Sequence, residues 1–461
     1  MFKKITNACV KLVQRFLPDP FIFCIILTII TFVAAIPLTR QNPLQMVLHW
    51  GNGVWVLLAF SMQMALVLVL GSAMANSPPM KKLLKALASI PKTPAQAIVL
   101  ITVISLLACW LNWGFGLIVG AILAKEISKT GLKVDYPLII AAAYSGFLIW
   151  HAGLSGSIPL GIATAPAAGQ AIVNTGGVLT EAVPIGSTVF SWWNLLICAG
   201  LFVFLPIVNV AMHPKGDDIK LINPALLKEE EEEVIKTPET PAEKVENSRI
   251  LQWITIILAV VYLIRRMTSS GFALDLNIVN MIFLALGLIF YGKPILYVRA
   301  IAKAAKEAGP ILLQFPFYAG IQGLMVGATA VAAGGTGLSL AAVISNAFVS
   351  ISTRVTFPLF TFLSAGIVNI FIPSGGGQWA VQGPIMMPAG QALGVEPALS
   401  AMGVAWGDAW TNMIQPFWAL PALGIAGLGA RNIMGYCVMA LLVSGIIICA
   451  GFILAGVVIY G

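Results

Sequence analysis

Runs of predominantly apolar residues recur along the chain at 21–39, 54–75, 136–165, 187–212, 250–267, 277–292, 308–330, 398–428 and 433–460. About 20 such residues let an α-helix cross the hydrocarbon of a bilayer, so the pattern predicts an all-α polytopic membrane protein with about nine full spans. Two further apolar stretches, 94–127 and 357–395, are too long for one span and too short for two with a loop. Polar positions concentrate in one segment, 213–250, which contains the acidic run 229–233. It has too little apolar surface to form a core and reads as a charged linker. Two basic amphipathic stretches, 79–92 and 297–306, are expected on the inner leaflet surface. The first apolar run follows Lys3, Lys4, Lys11 and Arg15 and is longer than a signal-peptide core, so it is expected to be a retained helix.

Composition narrows the class. Of 461 residues, 59% are hydrophobic and 10% charged, against about 45–50% and about 25% in soluble domains. A soluble enzyme is excluded. The net charge of +8 is spread between the apolar runs rather than gathered on one patch, so no nucleic-acid partner is expected. With a cytoplasmic N-terminus, all 26 Lys and Arg fall on the inner side except Arg40, Arg265, Arg266 and Arg354. That imbalance satisfies the positive-inside rule and puts the C-terminus outside. The six cysteines, Cys9, Cys24, Cys109, Cys198, Cys437 and Cys449, stand singly and read as packing residues.

The chain repeats itself. Adding 257 carries Asn112 to Asn369, Gly146 to Gly403, His151 to Asp408 and Pro159 to Pro416. By the charge count the first copy starts inside and the second outside, which predicts an inverted-topology repeat, an architecture typical of secondary transporters. The expected domains are a first repeat at 1–212, a cytoplasmic linker at 213–250, a connecting span at 251–276 and a second repeat at 277–461. Lys92 and Lys125 must share one side, so 94–127 should enter the membrane and return as a re-entrant hairpin about Asn112-Trp113-Gly114-Phe115-Gly116. Its counterpart, 357–395, turns about Ile372-Pro373-Ser374-Gly375-Gly376-Gly377-Gln378-Trp379. Irregular backbone at membrane depth survives only inside protein or beside a water-filled cavity, so both tips are expected near the midplane. The spans at 136–165 and 398–428 are interrupted by Gly, Ser and Pro, and each should form a discontinuous helix.

Four such breaks at one depth can serve an anion and a cation together, because half-helix N-termini offer N–H groups and unwound segments offer carbonyls. No Arg or Lys lies at a break. A carboxylate would therefore be met by backbone N–H groups, hydroxyls and amides. The expected substrate residues are Asn112, Trp113, Gly114, Ser155, Ser157, Ser374, Gly375, Gly376, Gly377, Gln378, Thr411, Asn412 and Gln415. Trp113, Phe115, Trp379, Trp410 and Trp418 are candidates to line a pocket for a short tail, although a tryptophan on a span more often anchors at the interface. Sodium would use oxygens of Asn112, Asn369, Ser155, Ser374 and Asn412. A proton would need His151 or Asp408, the two ionisable residues at depth, whose plainer reading is a core pair holding the halves together. No cofactor and no metal other than Na+ is expected, with Na+ or H+ as coupling ion. No His-Glu-x-x-His, Gly-x-Ser-x-Gly or paired-aspartate motif occurs, so no catalytic residue is assigned. The competing readings are a carrier of another small organic anion and a passive anion channel.

The chain resembles the AtoE-type short-chain fatty acid transporters of the ion transporter superfamily. The resemblance runs nearly end to end and rests on Leu17-Pro18-Asp19-Pro20, on the 112–116 motif, on Pro373-Ser374-Gly375-Gly376-Gly377, and most specifically on Gln415-Pro416-Phe417-Trp418-Ala419-Leu420-Pro421. It implies a bacterial inner-membrane carrier of small monocarboxylates such as butyrate or acetoacetate. It further implies a homodimer working by elevator-type alternating access, with 112–116, 374–377, Asn412 and Gln415 forming the site.

Overall fold

The computed structural model describes residues 2–164, 171–172, 174–226, 239–270 and 276–461. The acidic run at 229–233 lies outside the described residues. The described residues fold into helices, many of them opened by a cap that the sequence supplies. Asp19, Thr93, Asn112, Asp135, Ser191, Ser339 and Ser374 each accept an N–H of the first turn that follows. Proline in the first turn reinforces several starts, where its missing N–H costs nothing.

In chain order the helices are α1 (Phe2–Phe16), α2 (Pro20–Thr39), α3 (Pro43–Gly53), α4 (Leu58–Ala75), α5 (Pro78–Ala88), α6 (Pro94–Leu111), α7 (Trp113–Ser128), α8 (Tyr136–Ser145), α9 (Ser157–Ala163) and α10 (Trp192–Ala211). The short α11 (Pro241–Glu246) and then α12 (Arg249–Ser270) follow. The remainder comprises α13 (Leu276–Tyr291), α14 (Pro294–Ala304), α15 (Gly309–Val326), α16 (Leu340–Val349), α17 (Phe357–Phe371), α18 (Gly375–Ala392), α19 (Pro397–Thr411), α20 (Pro416–Ala426) and α21 (Ala430–Tyr460). Each expected span has a helix at its place. Among the described residues, six helical segments are long and apolar enough to cross a membrane, including 28-residue and 31-residue ones at Tyr136–Ala163 and Ala430–Tyr460.

Four helices were not anticipated: α1, α3, α16 and the short α11 within the linker. Asn42 and Gln45 form a capping box at α3, with Pro43 at its first position, a start signal present in the sequence but lying between the long apolar runs. The element order of α2–α10 recurs in α13–α21. Matching helices do not keep one spacing, since α3 and α14 start 251 residues apart and α6 and α17 start 263 apart.

Glycine sets the close crossings. A Cβ on Gly116 of α7 would lie 2.5 Å from the Cys109 nitrogen of α6, and one on Gly120 would lie 2.6 Å from Ser105 Oγ, so α6 and α7 fold tightly on each other. Gly146 meets Ser105 of α6, and Gly403 meets Thr361 of α17. Such small-residue contacts are what brings helices together where no hydrophobic force separates protein from lipid. By contrast α12 leaves Ile250, Trp253 and Leu258 more than half exposed, an apolar surface that no described helix covers.

The start of the linker is tied down. Asp135, capping α8, accepts the Lys220 N–H at 2.9 Å and a Tyr436 hydroxyl at 3.3 Å, while its own N–H donates to His213 Nε2 at 3.1 Å. Burial pushes this carboxyl above the usual range, against the pull of its hydrogen bonds. All six cysteines are free thiols.

Candidate functional site

Both long helices predicted to break do so. The first runs α8, a 3-10 turn at Gly146–Ala152, an irregular stretch at 153–156, then α9. The second runs α19, a 3-10 turn at Asn412–Ile414, Gln415, then α20. Two sharp reversals, at Asn112 between α6 and α7 and at 372–374 between α17 and α18, approach these breaks.

At the first reversal Asn112 ends α6 and caps α7, its Oδ1 taking the Phe115 N–H at 2.9 Å. The Trp113 N–H donates to Ser155 Oγ at 3.0 Å, and Leu154 N–H to the Trp110 carbonyl at 2.7 Å. Ser155, expected on a ligand, thus clasps this tip to the first break. Trp113 and Gly114 are buried. Trp113 packs on Trp150 and Trp418 with ring centroids 5.9 and 5.2 Å away, so Trp113 and Trp418 fill the centre with aromatic rings. Trp410 turns toward α21 instead, donating to the Leu441 carbonyl at 2.8 Å. Phe115 faces Phe283.

The second reversal is open. Ser374 caps α18 through Gly377 N–H, and the N–H groups of Gly375 and Gly376 have no carbonyl one turn back to bond. Gly376 is exposed, as is Ser157 at the start of α9. These two starts adjoin: a Cβ on Gly375 would lie 2.7 Å from Ser157 Oγ and 2.7 Å from His151 Cε1, whereas one on Gly376 would meet nothing within 4 Å. Two helix N-termini and a hydroxyl therefore face one accessible space. Gln378 does not join them. Its amide is buried and donates to the Ala365 carbonyl and to Gln382, bracing α17 on α18.

Behind this opening lies a buried polar network. His151 Nδ1 and Asp408 Oδ2 are 2.7 Å apart, and both side chains are fully buried. The Ile158 N–H donates to His151 Nε2 at 3.1 Å, so that nitrogen carries a lone pair and Nδ1 carries the proton given to Asp408. Both imidazole nitrogens are thus engaged. Asn369 sits inside α17, two residues short of its end, so the reversal falls at 372–374 and the cap role filled by Asn112 passes to Ser374. The Asn369 amide nitrogen reaches the Asp408 carbonyl, Thr411 Oγ1 and Asn412 Oδ1, all within 2.9 Å. Asp408 Oδ1, Asn369 Oδ1 and Asn412 Nδ2 are buried without hydrogen-bond partners. Gln415 donates to the Ile370 carbonyl. Among the described residues no group of three or more His, Cys, Asp or Glu could hold a metal ion, so the oxygen donors here are amide, hydroxyl, carbonyl and one carboxylate.

Two tyrosines that the sequence did not single out complete the network. Tyr144 donates to the Asn412 carbonyl at 2.6 Å and Tyr318 to Gln415 Oε1 at 3.2 Å. Both stand in apolar runs, where spacing alone does not separate a donor from a packed ring.

Residues 1–455 match the family described as Short chain fatty acid transporter. Two proteins carrying the name "Putative short-chain fatty acid transporter" align over 98% of this chain. The one from Escherichia coli (strain K12) is 45% identical over 456 residues and covered completely. The one from Haemophilus influenzae is 43% identical over 458 residues and 99% covered. Among solved structures, the Alcanivorax borkumensis YdaH transporter aligns over 96% of this chain and 98% of its own, at 15% identity and a TM-score of 0.44. A second, Neisseria gonorrhoeae MtrF, aligns over 95% of this chain and 96% of its own, at 15% identity and a TM-score of 0.38. The match over nearly the whole length, with relatives above 40% identity along 98% of the sequence, establishes that this multi-pass membrane protein belongs to the short-chain fatty acid transporter family.

Proposed function

We propose that the protein is a cation-coupled secondary carrier of small monocarboxylates in the bacterial inner membrane. The observation that carries this reading is the open second tip, where the first-turn N–H groups of α18 and the Ser157 hydroxyl face one space with no Lys or Arg among them. N–H groups and a hydroxyl suit a single carboxylate and leave a second negative charge without a cationic partner. The unpaired oxygens of Asp408 and Asn369 beside it suit a coupling cation, sodium by their chemistry, and His151 supports Asp408. The recurring element order supports an inverted repeat. On that reading α6–α7 and α17–α18 are re-entrant hairpins that move in an elevator within each protomer of a homodimer, with the N-terminus inside and the C-terminus outside.

Uptake of radiolabelled butyrate into proteoliposomes under a sodium gradient, a proton gradient or neither tests the proposal. Accumulation above equilibrium under the sodium gradient is the expected result. Equilibration without accumulation would mean a passive channel, and no movement at all would end the monocarboxylate reading.

A sharper test uses Gly376. A Cβ there meets no protein atom, so Gly376→Ala should leave stability unchanged or raise it by up to about 1 kcal/mol through helix propensity. The same methyl occupies the space assigned to the carboxylate. Butyrate uptake is expected to show a KM at least tenfold higher, with the melting temperature held. An unchanged KM would remove the second tip from the site.

A further inference from the structure

Three successive glycines open α18, and each looks out on something different. An α-helix turns about 100° per residue, so Gly375, Gly376 and Gly377 face three separate sectors around the helix start. The first sector holds Ser157 Oγ, 2.7 Å from a Cβ on Gly375. The third holds the amide of Gln322, whose Nε2 would lie 2.8 Å and Cδ 3.3 Å from a Cβ on Gly377. Between them Gly376 is exposed and faces open space. The accessible space at the second tip therefore has two polar flanks, and one of them comes from α15.

The helix sets Gln322 in place. One turn earlier on the same face, Tyr318 is buried and donates to Gln415 Oε1 at 3.2 Å, so α15 meets the second break and the second tip together. From behind, α3 presses on α15: a Cβ on Gly323 would overlap the His49 carbonyl oxygen, and one on Gly320 would lie 2.5 Å from Trp50 Nε1. Gln322 itself is half-buried. Among the described residues no hydrogen bond holds its amide, and Oε1 is buried. The end presented to the tip is Nε2, a donor.

The first tip has no such group. Helices α4 and α15 start 251 residues apart, which makes Gly71 the counterpart of Gln322. A Cβ on Gly71 would lie 3.0 Å from Ile118 Cγ2 of α7, so apolar contact alone backs that tip. The amide at the second tip therefore serves something other than packing, and a donor without a partner calls for one.

We propose that Gln322 is a substrate-binding residue, its amide N–H groups donating to the carboxylate above Gly376 from the flank opposite Ser157. The inference rests on the carrier reading for the position of the carboxylate, and it names α15 as the helix that completes the site.

Two substitutions test it. Gln322→Glu keeps the shape and puts a negatively charged acceptor where the donor was, whereas Gln322→Leu removes the polar group and keeps most of the volume. Each is read twice on the full-length protein: by the butyrate concentration that gives half of the rise in melting temperature, which reports binding alone, and by KM for butyrate uptake in proteoliposomes. Both values are expected to rise about tenfold or more in Gln322→Leu, as when a hydrogen bond to a charged group is removed, and further in Gln322→Glu. The melting temperature without butyrate should stay near that of the wild type, and if Gln322→Glu fails to fold, Gln322→Leu decides. A leucine variant unchanged in both readouts, or a glutamate variant that binds butyrate as well as the wild type does, would overturn the proposal. Stabilisation that depends on Gln322 without uptake by the wild type removes the carrier and keeps the residue. Uptake and stabilisation that survive Gln322→Leu remove the residue alone, and a wild type that shows neither removes both.

Discussion

Replacing His151 with alanine is expected to lower the unfolding free energy by about 3–5 kcal/mol, the usual cost of stripping one partner from a buried pair. The variant abandons two groups together. Asp408 is fully buried, and its Oδ1 already lacks a partner, so loss of the imidazole leaves the whole carboxylate unpaired. The Ile158 N–H at the start of α9 loses its acceptor as well. Asp408→Asn behaves differently, because an amide oxygen still accepts from His151 Nδ1 and only the charge disappears. A loss of about 1–2 kcal/mol is expected there, in the range of a weakened buried hydrogen bond. Melting in detergent distinguishes the two variants, with His151→Ala the lower. Asp408→Asn should remain folded and lose sodium-driven accumulation of butyrate. A His151→Ala protein as stable as the wild type would show that the pair is not holding the broken helices.

The second large effect is expected at Gly153, where the first broken helix passes the first tip. A Cβ there would overlap the Trp110 carbonyl oxygen and lie 2.8 Å from the Trp110 carbonyl carbon and Cα. These are backbone atoms and cannot swing aside as a side chain can. Gly153→Ala must therefore push 153–156 away from the end of α6 and break the bond from the Leu154 N–H to the Trp110 carbonyl. Overpacking of this kind costs about 1–3 kcal/mol, to which the lost bond adds about 1 kcal/mol. Gly161→Ala is the control, in α9 with nothing within 4 Å of the added methyl. It is expected to melt at or above the wild-type temperature, while Gly153→Ala melts well below it. Equal melting of the two would mean that the first tip does not depend on this contact.

Much of the fold was legible because the bilayer imposes one length scale. Long apolar runs at 21–39 or 433–460 have a single physical reading, and α2 and α21 lie there. The breaks, expected at 151–159 and 408–416 and found at 153–156 and 412–415, were legible because Gly, Ser and Pro159 in the first and Pro416 at the end of the second interrupt helix hydrogen bonding within an apolar run. The short helices α3 and α16 were not. Hydropathy averages over a window longer than they are, whereas Asn42 and Ser339 act through one or two hydrogen bonds each.

The site divided in the same way. The turn at Ser374 through Gly377 could be placed from residue type and position, because it is a matter of backbone geometry. Ser155 and Gln378 were assigned to the ligand because their chemistry permits it, but a hydroxyl or amide serves a neighbouring N–H or carbonyl equally well, and only packing decides. Tyr318 comes from a helix with no break, and Tyr144 stands in an apolar run ahead of the break in its own, so nothing local marks either.

The contact between His151 and Asp408 has a consequence for how such a chain arises. On the inverted-repeat reading the two occupy corresponding positions, 257 residues apart, and touch. In an assembly of two identical half-length chains related by a twofold axis, a position that meets its counterpart meets its own residue. It would pair imidazole with imidazole, or carboxylate with carboxylate at hydrogen-bonding distance, where like charges cannot both stand. An imidazole on one side and a carboxylate on the other is open only to halves whose sequences have diverged. On that reading the pair records divergence between the halves at the heart of the molecule, an asymmetry that two identical chains could not have.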